Sequence, residues 1–139
     1  MLRQMWSALT GRNRRLLDLA EIEANCTILA STFAGRQTVS LSQIRGTATS
    51  ARRYDFDADF RPLKSHSESR WQHIAAVRRR GVKLTPVALV QVGNTYFVED
   101  GHHRISVAKA YGEQVIEAEV IVWRVTGPLP WEQAIAALA

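Results

Sequence analysis

A chain of 139 residues has room for one domain with a modest core, and its length excludes two independent cores. Hydrophobic residues make up 46% and charged residues 22%, and no apolar run reaches the roughly 18 residues of a membrane span. The net charge of +5 is uneven: Arg3, Arg12, Arg14 and Arg15 precede the first acid, Asp18, and Arg78, Arg79, Arg80 and Lys83 form a second cluster.

Such clusters attract polyanions by counterion release, which makes nucleic acid a candidate partner; a solvated surface is the plain alternative. The start, "MLRQMWSALTGRNRR", lacks the continuous apolar core of a signal peptide. A single cysteine, Cys26, cannot form an intramolecular disulfide. A reducing, cytoplasmic setting without membrane contact is therefore expected.

The spacing predicts a helix over 13–33, because Leu19, Ile22, Cys26, Leu29 and Phe33 recur three and four apart and share one face. Cys26 lies in that stripe as a small core residue, and Gly35 is the stop. Residues 1–35 then form an N-terminal helical extension, either an appendage or a face for a protein partner or self-association. "TVSLSQI" alternates as a strand over 38–44. "YDFDADFRPL" sets Asp55, Asp57 and Asp59 among Tyr54, Phe56 and Phe60, a strand-like or tightly folded loop. Ser65 and Glu68 have the offset of a capping box, opening a helix that buries Trp71, Ile74 and Ala75 and closes at Gly81. The arginines at its end suit the negative pole of the helix.

"VALVQVGNTYFVED" predicts a hairpin turning at Gly93-Asn94. A helix over 101–111 follows, with Ile105, Ala108 and Tyr111 on one side and Gly112 at its end. "VIEAEVIVW", 115–123, is a strand with Ile116, Ala118, Val120 and Val122 inward. Pro130 opens a short C-terminal helix with Trp131, Ile135 and Leu138 on one face. The helix between hairpin and last strand is a crossover, so the predicted fold is α+β, a mixed sheet with packed helices. The expected divisions are 1–35, a domain over 36–124, and a helical tail over 125–139.

The junction "VEDGHHRISVAKAYG" carries the chemistry. First-turn amides of a helix lack intrahelical partners and hold roughly half a positive charge between them. Gly101 lets a ligand approach the backbone, His102 and His103 add donors, and Arg104 can grip two phosphate oxygens with its planar fork. Together they predict an anion site suited to phosphate. Asp100 either caps the helix or holds a histidine or a magnesium ion. Asp100 and His103 are the candidate catalytic groups, a histidine serving as acid or base near neutral pH. A plain N-cap with solvent-facing His-His-Arg is the bland alternative.

The run "TPVALVQVGNTYFVEDGHHRISVAKAYGEQVIEAEVIV", preceded by "VSLSQI" and a helix ending in glycine, resembles the core of the ParB/sulfiredoxin superfamily of ParB-like nuclease domains. "DGHHR" also resembles a segment of that superfamily's free-serine kinases. The resemblance covers about residues 38 to 123. It implies a ParB/sulfiredoxin-like fold and a pocket where the turn from Gly101 to Arg104 holds nucleotide phosphates (ATP, ADP or CTP, with or without magnesium), walled in part by Pro86. His102 stands where sulfiredoxins have a cysteine, which excludes their chemistry here. ParB has Gly-Glu-Arg-Arg where this chain has Gly-His-His-Arg, and the 16 residues after Trp123 are too few for ParB's helix-turn-helix domain. For a serine-type kinase the carboxylate base has no assigned position among Glu68, Glu99, Asp100 and the Asp55-Asp57-Asp59 run.

"DFDADF" is not a calcium loop, since Phe60 and His66 occupy the places of the required glycine and glutamate. Asp57 or Asp59 near a nucleotide would suit magnesium. His66 and His73 stand seven apart, roughly 10 Å along a helix, too far for one zinc ion. Trp71, Tyr96 and Phe97 read as core; Trp6, Trp123 and Trp131 as packing for the terminal helices. Three functions remain: a nucleotide-binding, nucleic-acid-associated module; a small-metabolite kinase or phosphohydrolase; and a non-catalytic interaction scaffold.

Overall fold

The computed structural model describes residues 15–131, apart from the side chain of His66. In chain order the elements are β1 (Leu17–Asp18), α1 (Leu19–Asn25), β2 (Thr27–Ser40), β3 (Ile44–Thr47), α2 (Glu68–Arg79), β4 (Val87–Val92), β5 (Thr95–Asp100), α3 (His102–Ala110) and β6 (Val115–Thr126). The strands make one six-stranded sheet in the order β1-β3-β5-β4-β6-β2. β5 and β4 are the antiparallel hairpin, and β6 and β2 are also antiparallel. β3 runs parallel to β5, β4 parallel to β6, and β1 parallel to β3. The expected α+β mixed sheet with packed helices is thus observed.

Each face of the sheet has its own apolar cluster. One gathers Leu41, Ile44, Phe56, Phe60, Leu89, Val98, Ile105 and Val120 beneath α3 and the loop that follows β3. The other gathers Leu19, Ile22, Val90, Val92 and Phe97 beneath α1, with Trp123, Leu129 and Trp131 packed on its margin. Tyr96 and Phe97 point to opposite faces, as strand alternation requires. α2 lies outside α3, joined to it by a hydrogen bond from Trp71 Nε1 to Ser106 Oγ at 2.9 Å. Among the described residues no helix is long and apolar enough to cross a membrane.

Four expectations change. The helix expected over 13–33 is confined to Leu19–Asn25, and the chain then becomes the 14-residue strand β2. Thr27, Ile28, Thr32, Thr38 and Val39 are β-branched, and a long antiparallel partner in β6 outweighs the helical spacing. Leu29 and Phe33, expected in the core, are 50% and 66% exposed. The expected divisions at 35 and 124 fall inside β2 and β6, two paired strands, so the sheet continues through both. Tyr111 is likewise exposed, under the guanidinium of Arg78 at 4.2 Å from its ring centroid.

At the turns and caps the expectations hold in part. Gly93 turns the hairpin at a φ of 59°, a conformation open to glycine. Ser65 does not cap α2: a 3₁₀ turn at Ser65–Ser67 precedes the helix, and neither element has a side-chain cap. Asp18 caps α1 instead, accepting from Ala20 N at 3.0 Å. Its carboxylate also accepts from Ser50 Oγ at 3.0 Å and Arg53 Nη1 at 3.2 Å, tying α1 to the loop after β3. Trp131 packs on Phe97 with centroids 5.8 Å apart. Arg3, Trp6, Arg12, Arg14, Ile135 and Leu138 lie outside the described residues.

Candidate functional site: an anion recess at the start of α3

The parallel strands β3 and β5 end side by side, with Thr47 paired to Val98. The loop after β3 and the helix after β5 therefore emerge at one end of the sheet, where α/β proteins place ligand clefts. Gly101 makes the turn into α3 at a φ of 113°. A Cβ there would lie 2.5 Å from Val87 Cγ1, so glycine is required twice, by backbone angle and by space. No side chain caps α3, and its first-turn amides keep their partial positive charge.

A recess of about 50 Å³ opens at this end, lined by Arg52, Arg70, Ile74 and the run from Asp100 to Arg104. Every residue predicted for phosphate binding, Gly101, His102, His103 and Arg104, is on its wall. Pro86, expected as a wall, is not; its carbonyl accepts from Arg104 Nη1 at 3.0 Å. Arg52 and Arg70 were not foreseen. They come from a loop and from α2, about 50 and 30 residues before the motif, and only the tertiary fold brings them there.

The side chains of the motif differ in their tasks. His102 is buried, and its Nε2 shares a hydrogen bond with Thr47 Oγ1 at 2.8 Å. Its ring stacks on Phe56 at 5.9 Å between centroids. Burial, reinforced by Arg52 and His103, lowers its pKa from 6.5 to about 4. His102 is thus neutral at pH 7. His103 is also buried, with its ring at 74° to Phe56 and 5.2 Å away.

Arg104 is engaged within the protein. Its Nη1 donates to Thr85 O at 2.9 Å, Thr85 Oγ1 at 2.8 Å and Pro86 O, and its Nη2 donates to Asp100 Oδ2 at 3.1 Å. It clamps the lead into β4 and borders the recess at the same time. Asp100 is not the N-cap. It ends β5, and its carboxylate faces Arg104 one helical turn on. Arg52 pairs with Asp55 at 3.7 Å, whereas Arg70 joins no ion pair among the described residues.

The other candidates lie elsewhere. Asp57 and Asp59 pair with Arg61 at 3.9 and 3.6 Å, and Asp57 Oδ1 accepts from the amides of Asp59 and Arg61; neither lines the recess. Arg78 pairs with Glu113, and Arg79 Nη1 donates to Tyr111 OH at 3.1 Å. Among the described residues no three His, Cys, Asp or Glu side chains gather as metal ligands.

No protein-family model matches the chain, and no curated protein matches it. Among solved structures, it is similar to a sulfiredoxin from Arabidopsis thaliana, with 16% identity and a TM-score of 0.45 over 75% of this chain and 97% of the other. It is also similar to a Pnob8-like ParB-N domain, with 14% identity and a TM-score of 0.41 over 78% of this chain and 35% of the other. The likeness concerns the fold alone.

Proposed function

We propose that the protein binds the phosphates of a nucleotide at the start of α3. The observation that carries this reading is the convergence of Arg52 and Arg70 on an uncapped helix N-terminus whose glycine admits no Cβ. The recess has the scale of one phosphoryl group, well below the roughly 300–1,000 Å³ of clefts that enclose a whole small molecule. One phosphoryl group enters, and the remainder of the nucleotide lies outside against the α2 side. Backbone amides and Arg70 supply the attraction, while Arg104 shapes the turn. Neutral His102 contributes a hydrogen-bonding ring and no charge.

A thermal-shift panel of CTP, ATP, ADP and GTP, with and without magnesium, tests this. At least one nucleotide should raise the midpoint, and Arg70→Ala should remove the shift while leaving the unliganded midpoint in place. No shift at millimolar concentration with any of them would return the protein to the scaffold reading. Release of phosphate, or its transfer to serine, would make it a phosphohydrolase or small-metabolite kinase, with Asp100 and His103 the first residues to substitute. A nucleic-acid partner is a separate arm, resting on Arg79, Arg80 and Lys83.

A further inference from the structure

We propose that a second cleft, beside the C-terminal half of α3, binds an organic monoacid: its carboxylate on Lys109 Nζ, its apolar or aromatic body against Leu41, Phe60 and Pro62. The cleft measures about 790 Å³ and shares no lining residue with the recess at the other end of the helix. That volume falls within the roughly 300–1,000 Å³ of small-molecule sites.

Charge balance identifies the ligand. Three of the acids and bases around the cleft are satisfied within the protein: Asp59 and Arg61 pair with each other, and Glu113 is taken by Arg78. Lys109 is the cation left over. It is half-buried, and among the described residues it forms no hydrogen bond or ion pair; its ammonium lies 5.5 Å from the ring centroid of Phe60. Burial lowers its pKa, with Asp59 and Asp57 opposing from a distance. A partly desolvated ammonium facing an open cleft is completed by an anion.

The anion is a monoanion and not a phosphate. Lys109 stands in the last turn of α3, at the negative pole of the helix, and Asp59 is 65% exposed on the rim. The helix pole opposes a second negative charge, and Asp59, already paired with Arg61, adds no positive charge to hold one. The polar rim of Ser40 and Ser42, whose hydroxyls lie 2.9 Å apart, and the Trp71–Ser106 hydrogen bond fix orientation around an apolar floor.

The test is titration of 3-phenylpropionate into the full chain, followed by the indole N–H resonance of Trp71, with 3-phenylpropionamide as the uncharged match. Saturable binding is expected, about tenfold weaker for the amide and for Lys109→Met. Ala110→Trp, an exposed position on the cleft wall, should block binding without disturbing the core. Arg70→Ala should leave it unchanged, which separates this site from the phosphate recess. The proposal is overturned by equal affinity for acid and amide, by an unaffected Ala110→Trp variant, or by no binding at tens of millimolar. A peptide ending in Phe, compared with its C-terminal amide, distinguishes the source: tighter binding of the peptide acid identifies a chain end, and tighter binding of phenylpropionate a free metabolite.

Discussion

His102 was visible in the sequence as a donor beside Gly101, and its burial over Phe56 beside Arg52 makes it a neutral one. The depressed pKa has a signed consequence. Unfolded His102 takes up a proton near pH 6.5, whereas the folded residue does so only near pH 4. Its contribution to stability is complete above pH 6.5 and is lost as pH falls toward 4. The loss amounts to about 3 kcal/mol over that window. Urea unfolding between pH 4 and 7 should show it, and His102→Gln should flatten that part of the profile. Gly101→Ala is expected to destabilise by about 2–4 kcal/mol, through the positive φ and the overlap with Val87; an unchanged denaturation midpoint would contradict the account of the turn. Arg104→Ala should lower the melting temperature, because Thr85, Pro86 and Asp100 lose their donor.

Among the elements, the hairpin, α3 and β6 were legible, since alternation, a glycine-first turn and a terminal glycine are local signals. The segment over 27–40 was not. Its apolar residues satisfy a three-four spacing, but they follow an alternation interrupted by two irregularities, which scrambles the strand period. Its partner lies some 80 residues onward, beyond any local signal. Strand and helix make opposite predictions for Phe33. As an exposed strand residue, Phe33→Ser should change stability by no more than about 0.5 kcal/mol, whereas burial on a core-facing helix would make the cost several times larger. Asp18 tests the link between α1 and the site loop: Asp18→Ala removes a cap and two side-chain partners, and should cost about 2–3 kcal/mol in urea unfolding. The turn at Gly101 was legible in the same way as the hairpin, because it is contiguous. Arg52 and Arg70 were not, because their convergence depends on β3 lying parallel to β5 and α2 lying on α3.

For the whole molecule, ligand and fold are coupled by mass action. A nucleotide held only by the folded recess, at a hundred times its dissociation constant, adds about 2.7 kcal/mol of stability, a rise of roughly 10 °C in midpoint for a domain of this size. Basic character has a different reach at this scale. Arg78 is committed to Glu113 and Tyr111, so Arg78→Ala should lower the midpoint, whereas any salt-dependent retention on heparin should fall on replacing Arg80 and Lys83 together.

The pairing of β2 with β6 has a consequence for how the chain is made. Synthesis delivers Thr27–Ser40 early, but its only sheet partner among the described residues is completed at Thr126. At about 5–20 residues per second, that strand waits several seconds on the ribosome with the backbone groups that later pair with β6 unpaired. Nascent chains halted before residue 115 should therefore be the ones that recruit chaperones and form inclusion bodies.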